Sequence, residues 1–287
     1  MSDTSRFIVD ADWLQKNIGK EGVSIIDGSW YLPAANRDAK KEYEQSHIPG
    51  AVFFDHDVIC DQKSGLPHTL PDPNQFSQQV GDLGISVQDT IVVYDGVGFF
   101  SAPRVWWMLK TMGADNVFIL NGGYDRWKEE GRPTTDEITA IKPVRFVANF
   151  HHDKVVFFDE MRSIVDGRST QIADARGYKR FTGEQAEPRP GMRSGHMPGA
   201  CSVPATLMSE GGNLKNLTTI KEIFSRVGID VNEPVTTTCG SGVTAAVLAL
   251  ALESLGNKHV RLYDGSWSEW GSKTDTPVVK GDENEDK

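Results

Sequence analysis

Residues Val235 to Leu255, VTTTCGSGVTAAVLALALESL, are the stretch from which the fold of this chain can be worked out. The β-branched run before Cys239 predicts a strand, and the apolar segment from about Thr244 predicts a buried helix. Between them, Gly240 and Gly242 let a short backbone curl with its amides pointing inward, and the helix directs its positive end to the same place. A thiol at this position is expected to ionise easily, and the thiolate is the form that attacks sulfur.

This loop has three competing interpretations. An isolated cysteine is often a small core residue, but here it stands between a predicted strand and a Gly-x-Gly helix start. A phosphate-binding loop needs Gly-Lys-Ser/Thr, which the loop does not contain. A cysteine phosphatase needs an arginine six residues after the cysteine, where Ala245 stands. The loop therefore favours sulfur chemistry over phosphate chemistry.

The chain repeats itself imperfectly, with an offset of about 144 residues. HIPGA at His47 to Ala51 recurs as HMPGA at His196 to Ala200, and LGISVQDTIVVYDG at Leu83 to Gly96 aligns with VGIDVNEPVTTTCG at Val227 to Gly240. In each copy short apolar strands alternate with helical patterns. The sequence therefore predicts an α/β fold made of two tandem domains, each a small, mainly parallel sheet flanked by helices.

The two copies differ where chemistry is concerned. We expect an N-terminal domain over residues 1–138, a linker over 139–155 and a C-terminal catalytic domain over 156–287. The repeat alignment places Asp95 opposite Cys239, with one residue more in the first loop. Because a carboxylate cannot carry sulfur, the N-terminal domain is predicted to be catalytically silent and to supply one wall of an interdomain cleft.

CGSGVTA at Cys239 to Ala245 resembles the active loop of the rhodanese-fold sulfurtransferases, and is similar to the 3-mercaptopyruvate branch in particular. The resemblance extends from about Phe7 to Pro277 and implies two rhodanese-like domains. In the thiosulfate-using branch basic residues follow the cysteine, whereas Gly240 and Ser241 stand here and favour a mercapto-acid substrate. The resemblance also implies a persulfide on Cys239. Its cradling loop consists of Gly240, Ser241, Gly242, Val243 and Thr244.

Two arginines are candidates for binding the substrate carboxylate. Arg180 and Arg189, in YKRFTGEQAEPRPG, are predicted to lie in a loop, where arginines are most often solvated. In mercaptopyruvate sulfurtransferases the arginines of a GRF...EPEPR segment bind the substrate's carboxylate and carbonyl. RF and EPR recur here with the same nine-residue separation, although Lys179 replaces the expected glycine. The resemblance thus implies that Arg180 and Arg189 bind substrate, with Gly183 keeping the loop close to it.

A proton relay is the second candidate constellation. The family is thought to combine a hydroxyl of the cysteine loop with a His and an Asp of the N-terminal domain, as a serine hydrolase does. Asp57 in FFDHD, His68 and Ser241 match those places by resemblance, and His56 is a rival by sequence alone. From spacing alone, FFDHD could equally be a strand and turn with surface polar residues.

Composition limits the possible partners. The formal net charge of -10, which includes an acidic tail GDENEDK, disfavours nucleic acid. No segment reaches the roughly 20 apolar residues that a membrane helix needs, and the N-terminus has no signal pattern, so a cytoplasmic location is expected. A monomer is also expected.

The cysteines and histidines do not suggest a metal. Cys60, Cys201 and Cys239 are far apart and fit neither zinc spacing nor a disulfide framework. His151 and His152 are expected to be a solvated pair, because adjacent side chains on an extended linker diverge. No metal or organic cofactor is expected.

The resemblance implies transfer of the sulfur of 3-mercaptopyruvate through a Cys239 persulfide, with release of pyruvate. The acceptor would be thioredoxin, another thiol or cyanide, and a dithiol would release hydrogen sulfide. Two alternatives stay open: a thiosulfate:cyanide sulfurtransferase, and a non-catalytic persulfide carrier or binding module.

Overall fold

The structure, a computed structural model, describes residues 3–281 and contains two five-stranded parallel sheets. The first sheet has the order β1-β5-β4-β2-β3. Its strands are β1 (Ile8–Val9), β2 (Val23–Asp27), β3 (Ala51–Phe53), β4 (Thr90–Tyr94) and β5 (Val117–Leu120). The helices of this half are α1 (Ala11–Asn17), α2 (Ala39–Gln45), α3 (Pro73–Asp82), α4 (Ala102–Thr111) and α5 (Gly123–Glu129).

The second half repeats this arrangement. Its sheet has the order β6-β12-β11-β7-β8, and β9 and β10 form a separate antiparallel hairpin. The strands are β6 (Val155–Val156), β7 (Gln171–Asp174), β8 (Ala200–Ser202), β9 (Ser209–Glu210), β10 (Asn213–Leu214), β11 (Val235–Thr238) and β12 (Val260–Tyr263). The helices are α6 (Phe158–Gly167), α7 (Tyr178–Thr182), α8 (Leu217–Arg226), α9 (Ala245–Ser254) and α10 (Ser266–Trp270). Short 3-10 turns lie at Pro33–Ala35, His152–Lys154 and Ala205–Leu207.

The predicted α/β tandem repeat is confirmed. Numbered within its own half, with the β9–β10 hairpin left out, each sheet has the same strand order, and β4 and β11 are internal strands with neighbours on both sides. All four residues of β11 are buried, because a parallel sheet covered on both faces exposes neither side of an internal strand. The β-branched Val-Thr-Thr-Thr run suits that position. Within residues 3–281, no helix has the length and apolar character to cross a membrane.

Helices α4 and α9 form the centre of the molecule, between the two sheets. They pack on each other, and every residue of α9 from Ala245 to Glu253 is buried. As the sequence indicates, Pro103 lies in the first turn of α4, and Trp106 and Trp107 are core residues. Side chains of both helices belong to one apolar core that continues into both sheets. Helix α4 belongs to the N-terminal domain and α9 to the C-terminal domain. The loops that precede these helices therefore lie in domains that pack against each other through this core.

The segment between the two repeats follows the surface of the N-terminal half. Thr135 pairs with His47, the Thr139 hydroxyl donates to the Ala51 carbonyl at 2.7 Å, and the Val144 amide donates to Gly81 at 3.0 Å. The C-terminal half has the same anchor, because Val279 pairs with His196. The predicted domain limits stay predictions. Met1, Ser2 and Asp282 to Lys287, which make up most of the acidic tail, lie outside the described residues.

Equivalent aspartates end β2 and β7 in different electrostatic surroundings. Asp174 is buried and forms a salt bridge with Arg176. Asp27 is equally buried, but its carboxylate accepts the Ser29 amide and lies near a second carboxylate, Asp95. Burial raises the pKa of Asp27 to about 6. At neutral pH, where Asp27 is ionised, its buried charge therefore lowers the stability of the N-terminal half.

This cost predicts a pH-dependent effect of Asp27→Asn. Because the folded-state pKa is raised from 3.8, the stability that protonated Asp27 contributes is fully present below pH 3.8 and is lost as the pH rises to about 6. The loss is at most on the order of 3 kcal/mol. Asp27→Asn should thus gain unfolding free energy relative to wild type between pH 4 and pH 7, measured by urea unfolding. Exposed Asp166→Asn is the control, and a pH-independent difference for Asp27→Asn would contradict the argument.

Candidate active site

Cys239 lies where β11 ends, as predicted, and is 2% exposed. Its loop is tied to the start of α10: the Cys239 amide donates to the Ser266 hydroxyl at 3.2 Å, and the Trp267 amide donates to the Cys239 carbonyl at 2.9 Å. Ser268 holds the Gly240 carbonyl through both its amide and its hydroxyl. Gly242 has a φ of 79°, a left-handed conformation that suits glycine, before α9 begins at Ala245. These bonds hold the thiol at the positive end of a buried helix.

The equivalent loop of the N-terminal domain shows what such a ring of amides binds. Asp95 points its carboxylate back into its own loop and accepts the amides of Phe100 at 2.9 Å and of Ser101 and Ala102 at 2.8 Å each. The Gly98 amide donates to the other oxygen. A negatively charged group is therefore stabilised in a loop of this type. By the repeat, the second loop offers a similar environment to a charged group on Cys239.

Both predicted substrate-binding arginines reach the cysteine loop. A β-carbon built on Gly240 would lie 3.1 Å from Arg180 Nη2 and 3.9 Å from Arg189 Nη1. The prediction that Arg180 lies in a loop is wrong: this residue belongs to helix α7. Burial lowers the pKa of Arg189, and the nearby Cys239 partly offsets that effect. The two guanidinium groups thus lie beside the thiol.

Gly183 has a different position from the arginines. It ends α7 with a φ of 83°, and a β-carbon there would lie 3.2 Å from both the Gly195 amide and the Lys280 side chain. Its left-handed conformation therefore ends the Arg180 helix, and its nearest neighbours are not in the cysteine loop. A direct role of Gly183 in binding stays a prediction.

Asp57, His68 and Ser241 are brought together across the domain interface. His68 Nε2 lies 3.0 Å from Asp57 Oδ1, and His68 Nδ1 lies 3.2 Å from Ser241 Oγ. Because a carboxylate only accepts, we assign the ring proton to Nε2, which leaves Nδ1 to accept from the Ser241 hydroxyl. The hydrogen bond from His68 lowers the pKa of Asp57. The three groups form one hydrogen-bonded chain that ends in the cysteine loop.

His56, the rival histidine, is not part of this chain. Its Nε2 lies 2.9 Å from the Gly28 carbonyl, and the side chain is buried. Burial lowers the pKa of His56 to about 3, so the ring is neutral at pH 7 and donates to that carbonyl. His56 therefore holds the backbone at the end of β2.

Arg104 and Asp264 connect the relay to the cysteine loop, and sequence analysis did not find them. Arg104, fully buried on α4, donates to the His68 carbonyl at 2.6 Å, to Asp264 at 2.7 Å and to the Gly242 carbonyl at 3.5 Å. The other Asp264 oxygen accepts the Leu70 amide at 2.8 Å. His68 has a φ of 60°, which a non-glycine residue adopts only when its surroundings hold it. The ion pair supplies that hold.

The described residues offer no group of three His, Cys, Asp or Glu side chains placed to hold a metal ion. The three cysteines are free thiols.

The fold and the loop define a two-domain rhodanese-like protein with one cysteine site. The family model described as "Rhodanese-like domain" matches residues 10–130 and 157–273, and the chain belongs to this family.

Relatives of known name cover nearly the whole chain. The 3-mercaptopyruvate sulfurtransferase of Escherichia coli K12 is 41% identical over 276 residues, which is 96% of this chain and 98% of the relative. The mitochondrial thiosulfate/3-mercaptopyruvate sulfurtransferase 1 of Arabidopsis thaliana is 37% identical and covers 96% of this chain and 78% of its own. The crystal structure of SseA from Escherichia coli, described as a 3-mercaptopyruvate sulfotransferase, superposes with a TM-score of 0.84 and 39% identity. It covers 92% of this chain and 99% of SseA.

The buried ion pair predicts a large loss of stability on removal of one partner. Arg104→Met should lower the unfolding free energy by about 3–5 kcal/mol, because Asp264 would stay buried without its counter-charge. Thermal unfolding followed by calorimetry measures the effect. Arg104→Met with Asp264→Asn should recover part of the loss, and a double variant as unstable as the sum of the two single variants would contradict the pairing.

Proposed function

We propose that the chain transfers the sulfur of 3-mercaptopyruvate to a thiol acceptor through a persulfide on Cys239 and releases pyruvate. This proposal rests on one observation. Arg180 and Arg189 approach the cysteine loop, and the hydrogen-bonded chain from Asp57 through His68 ends in the same loop at Ser241. Relatives of 36–41% identity that are named 3-mercaptopyruvate sulfurtransferase support the same substrate.

The first step is attack of the Cys239 thiolate on the substrate sulfur. The new sulfur–sulfur bond forms as the carbon–sulfur bond breaks, and the bonding electrons leave with carbon as the enolate of pyruvate. Arg180 and Arg189 would bind the carboxylate and carbonyl oxygens and stabilise that charge. We assign protonation of the carbon that held sulfur to the Ser241 hydroxyl, and His68 Nδ1 passes to Ser241 the proton that the substrate thiol gives up, so the Asp57–His68–Ser241 chain ends the step unchanged.

The second step returns the enzyme to its starting state. An acceptor thiolate attacks the outer sulfur of the persulfide, and the electron pair of the broken bond returns to Cys239 as thiolate. A dithiol acceptor such as thioredoxin then closes its own disulfide and releases sulfide, whereas cyanide leaves as thiocyanate. Two separate steps on one cysteine require ping-pong kinetics. The predicted cytoplasmic location, the monomeric state, the domain limits and the silent N-terminal domain belong to this proposal.

Thiosulfate is the second candidate donor. The double name of the Arabidopsis relative favours it, as do two arginines beside the thiol, since an inorganic dianion needs cations. The neutral residues Gly240 and Ser241 favour the mercapto-acid instead. Steady-state rates with each donor and one thiol acceptor decide the question. We expect a higher kcat/KM with 3-mercaptopyruvate, and a higher value with thiosulfate would overturn the substrate assignment.

Cysteine variants test which thiol carries the sulfur. Cys239→Ser should abolish pyruvate release from 3-mercaptopyruvate, whereas Cys60→Ser and Cys201→Ser should keep most of it, because only Cys239 lies in the loop. Pyruvate is measured by a coupled dehydrogenase. If Cys239→Ser keeps its rate, Cys239 is not the thiol that carries the sulfur. If wild type binds sulfur without turnover, the enzyme proposal fails and the carrier alternative stands.

The relay predicts a selective loss of kcat. Ser241→Ala and His68→Asn should each lower kcat with 3-mercaptopyruvate on the order of a hundredfold, the size of a general acid contribution, and change KM less. The double variant should be hardly slower than either single variant, because both changes interrupt one chain. Exposed Ser169→Ala is the control. Independent, multiplying losses would show that the two residues do not act as a relay.

A further inference from the structure

A buried chain of alternating charges lies behind the substrate-binding arginines. Arg176 forms a salt bridge with Asp174, and its Nη1 donates to Glu187 Oε1 at 2.8 Å. Glu187 also accepts from Arg180, at 3.2 Å from Nε to Oε1 and through a second bond from Nη2 to Oε2. The Glu187 side chain is 4% exposed, and those of Arg176 and Asp174 are 1% exposed. One carboxylate thus bridges a structural arginine and a substrate-binding arginine.

Glu187 does not serve Arg189 in the same way. Within the described part of the chain no carboxylate forms a salt bridge with Arg189, and its Nη1 donates to the Ser268 hydroxyl in a long contact of 3.5 Å. Burial therefore works against the charge of Arg189, whereas Arg180 has a charged partner on its own side. The two arginines beside the thiol therefore differ: Glu187 compensates the charge of Arg180, and no carboxylate among the described residues pairs with Arg189.

The charges around the thiol can then be counted. Asp174 and Arg176 cancel, and Glu187 and Arg180 cancel, so Arg189 is the guanidinium whose charge faces the cysteine loop and the Cys239 thiolate of the proposed mechanism. 3-Mercaptopyruvate brings one carboxylate charge to this place, whereas thiosulfate brings two charges. In a partly desolvated site, one extra positive charge benefits a dianion about twice as much as a monoanion.

We propose that Glu187 is a specificity-determining residue, which selects a monoanionic mercapto-acid over an inorganic dianion by compensating Arg180. The bidentate contact also orients Arg180, because Nη2, which donates to Glu187, is the nitrogen that lies beside Gly240. This inference rests on the proposed function and concerns the choice of donor at the same site.

The test is Glu187→Gln, with Glu184→Gln as the matched control. Gln keeps the length of the side chain and an oxygen that accepts from Arg176, but it removes the charge that compensates Arg180. Glu184 lies in the same segment, is exposed and accepts from the Thr182 hydroxyl at 3.1 Å, with no arginine partner among residues 3–281. The measurement is the ratio of kcat/KM for thiosulfate to kcat/KM for 3-mercaptopyruvate, with one thiol acceptor.

We expect Glu187→Gln to raise this ratio on the order of tenfold at low salt, with a smaller increase at high salt because ions screen the added charge. Glu184→Gln should leave the ratio at the wild-type value. Adding Arg180→Met to Glu187→Gln should return the ratio toward wild type, since the uncompensated charge is then removed. Arg180→Met alone should lower the ratio, and it decides the question if Glu187→Gln does not fold.

An unchanged ratio in Glu187→Gln, with both efficiencies reduced equally, would overturn the proposal and leave Glu187 a structural residue. An increase that persists in the Arg180→Met background would also overturn it, because the effect would not pass through Arg180. These outcomes are separate from a failure of the proposed function. In that case wild type itself would release no pyruvate from 3-mercaptopyruvate.

Discussion

The buried ion pair between Arg104 and Asp264 is the interaction on which the site depends. It joins a helix of one domain to the end of a strand of the other, and the same two side chains hold the His68 carbonyl, the Leu70 amide and the Gly242 carbonyl. Burying two charges is costly, and a pair of this kind is justified by its geometry more than by its net stability. Here the pair positions His68, which has a strained backbone conformation, over the cysteine loop. Other polar contacts also cross the interface, such as the Gly122 amide to the Gly212 carbonyl at 2.9 Å, but the Arg104–Asp264 pair is the one that holds the backbone on both sides of the site.

The two repeats place chemically different side chains, Asp95 and Cys239, in equivalent loops. Each has a loop before a buried helix, and in the N-terminal domain the amides of this loop face inward and stabilise a negative charge. In the N-terminal domain the charge is built into the chain, because Asp95 fills its own loop with four amide contacts. In the C-terminal domain Cys239 takes the equivalent position, and under the proposed function the negative charge there is that of the thiolate and of the persulfide.

The sequence predicted the parts of the molecule that rest on local pattern. The repeat, the parallel sheets and the strand-Cys-loop-helix order follow from periodicity and turn residues, and the arginines and the relay followed from resemblance. Arg104, Asp264 and Glu187 were missed for a physical reason. Arg104 and Asp264 are 160 positions apart, and their relation exists only once α4 and β12 meet at the domain interface. An arginine inside the apolar segment APRVWWML was the available signal, since a charge there needs a buried partner. Glu187 stands in a polar segment, where nothing in the pattern separates it from exposed Glu184. Arg180 was expected in a loop because Gly and Pro surround it, but the five-residue helix α7 ends before them, at Thr182.

We propose that sulfur is carried covalently on Cys239 between two half-reactions. A single-turnover experiment tests this: enzyme is mixed with an equimolar amount of 3-mercaptopyruvate in the absence of any other acceptor, because an excess of this thiol would itself accept the sulfur. The pyruvate released per enzyme is counted, and the added sulfur is located by mass spectrometry of peptides. We expect close to one pyruvate per enzyme and one additional sulfur atom on the peptide that contains Cys239. No pyruvate before an acceptor is added, or a sulfur adduct on Cys60 or Cys201 with Cys239 unmodified, would contradict it.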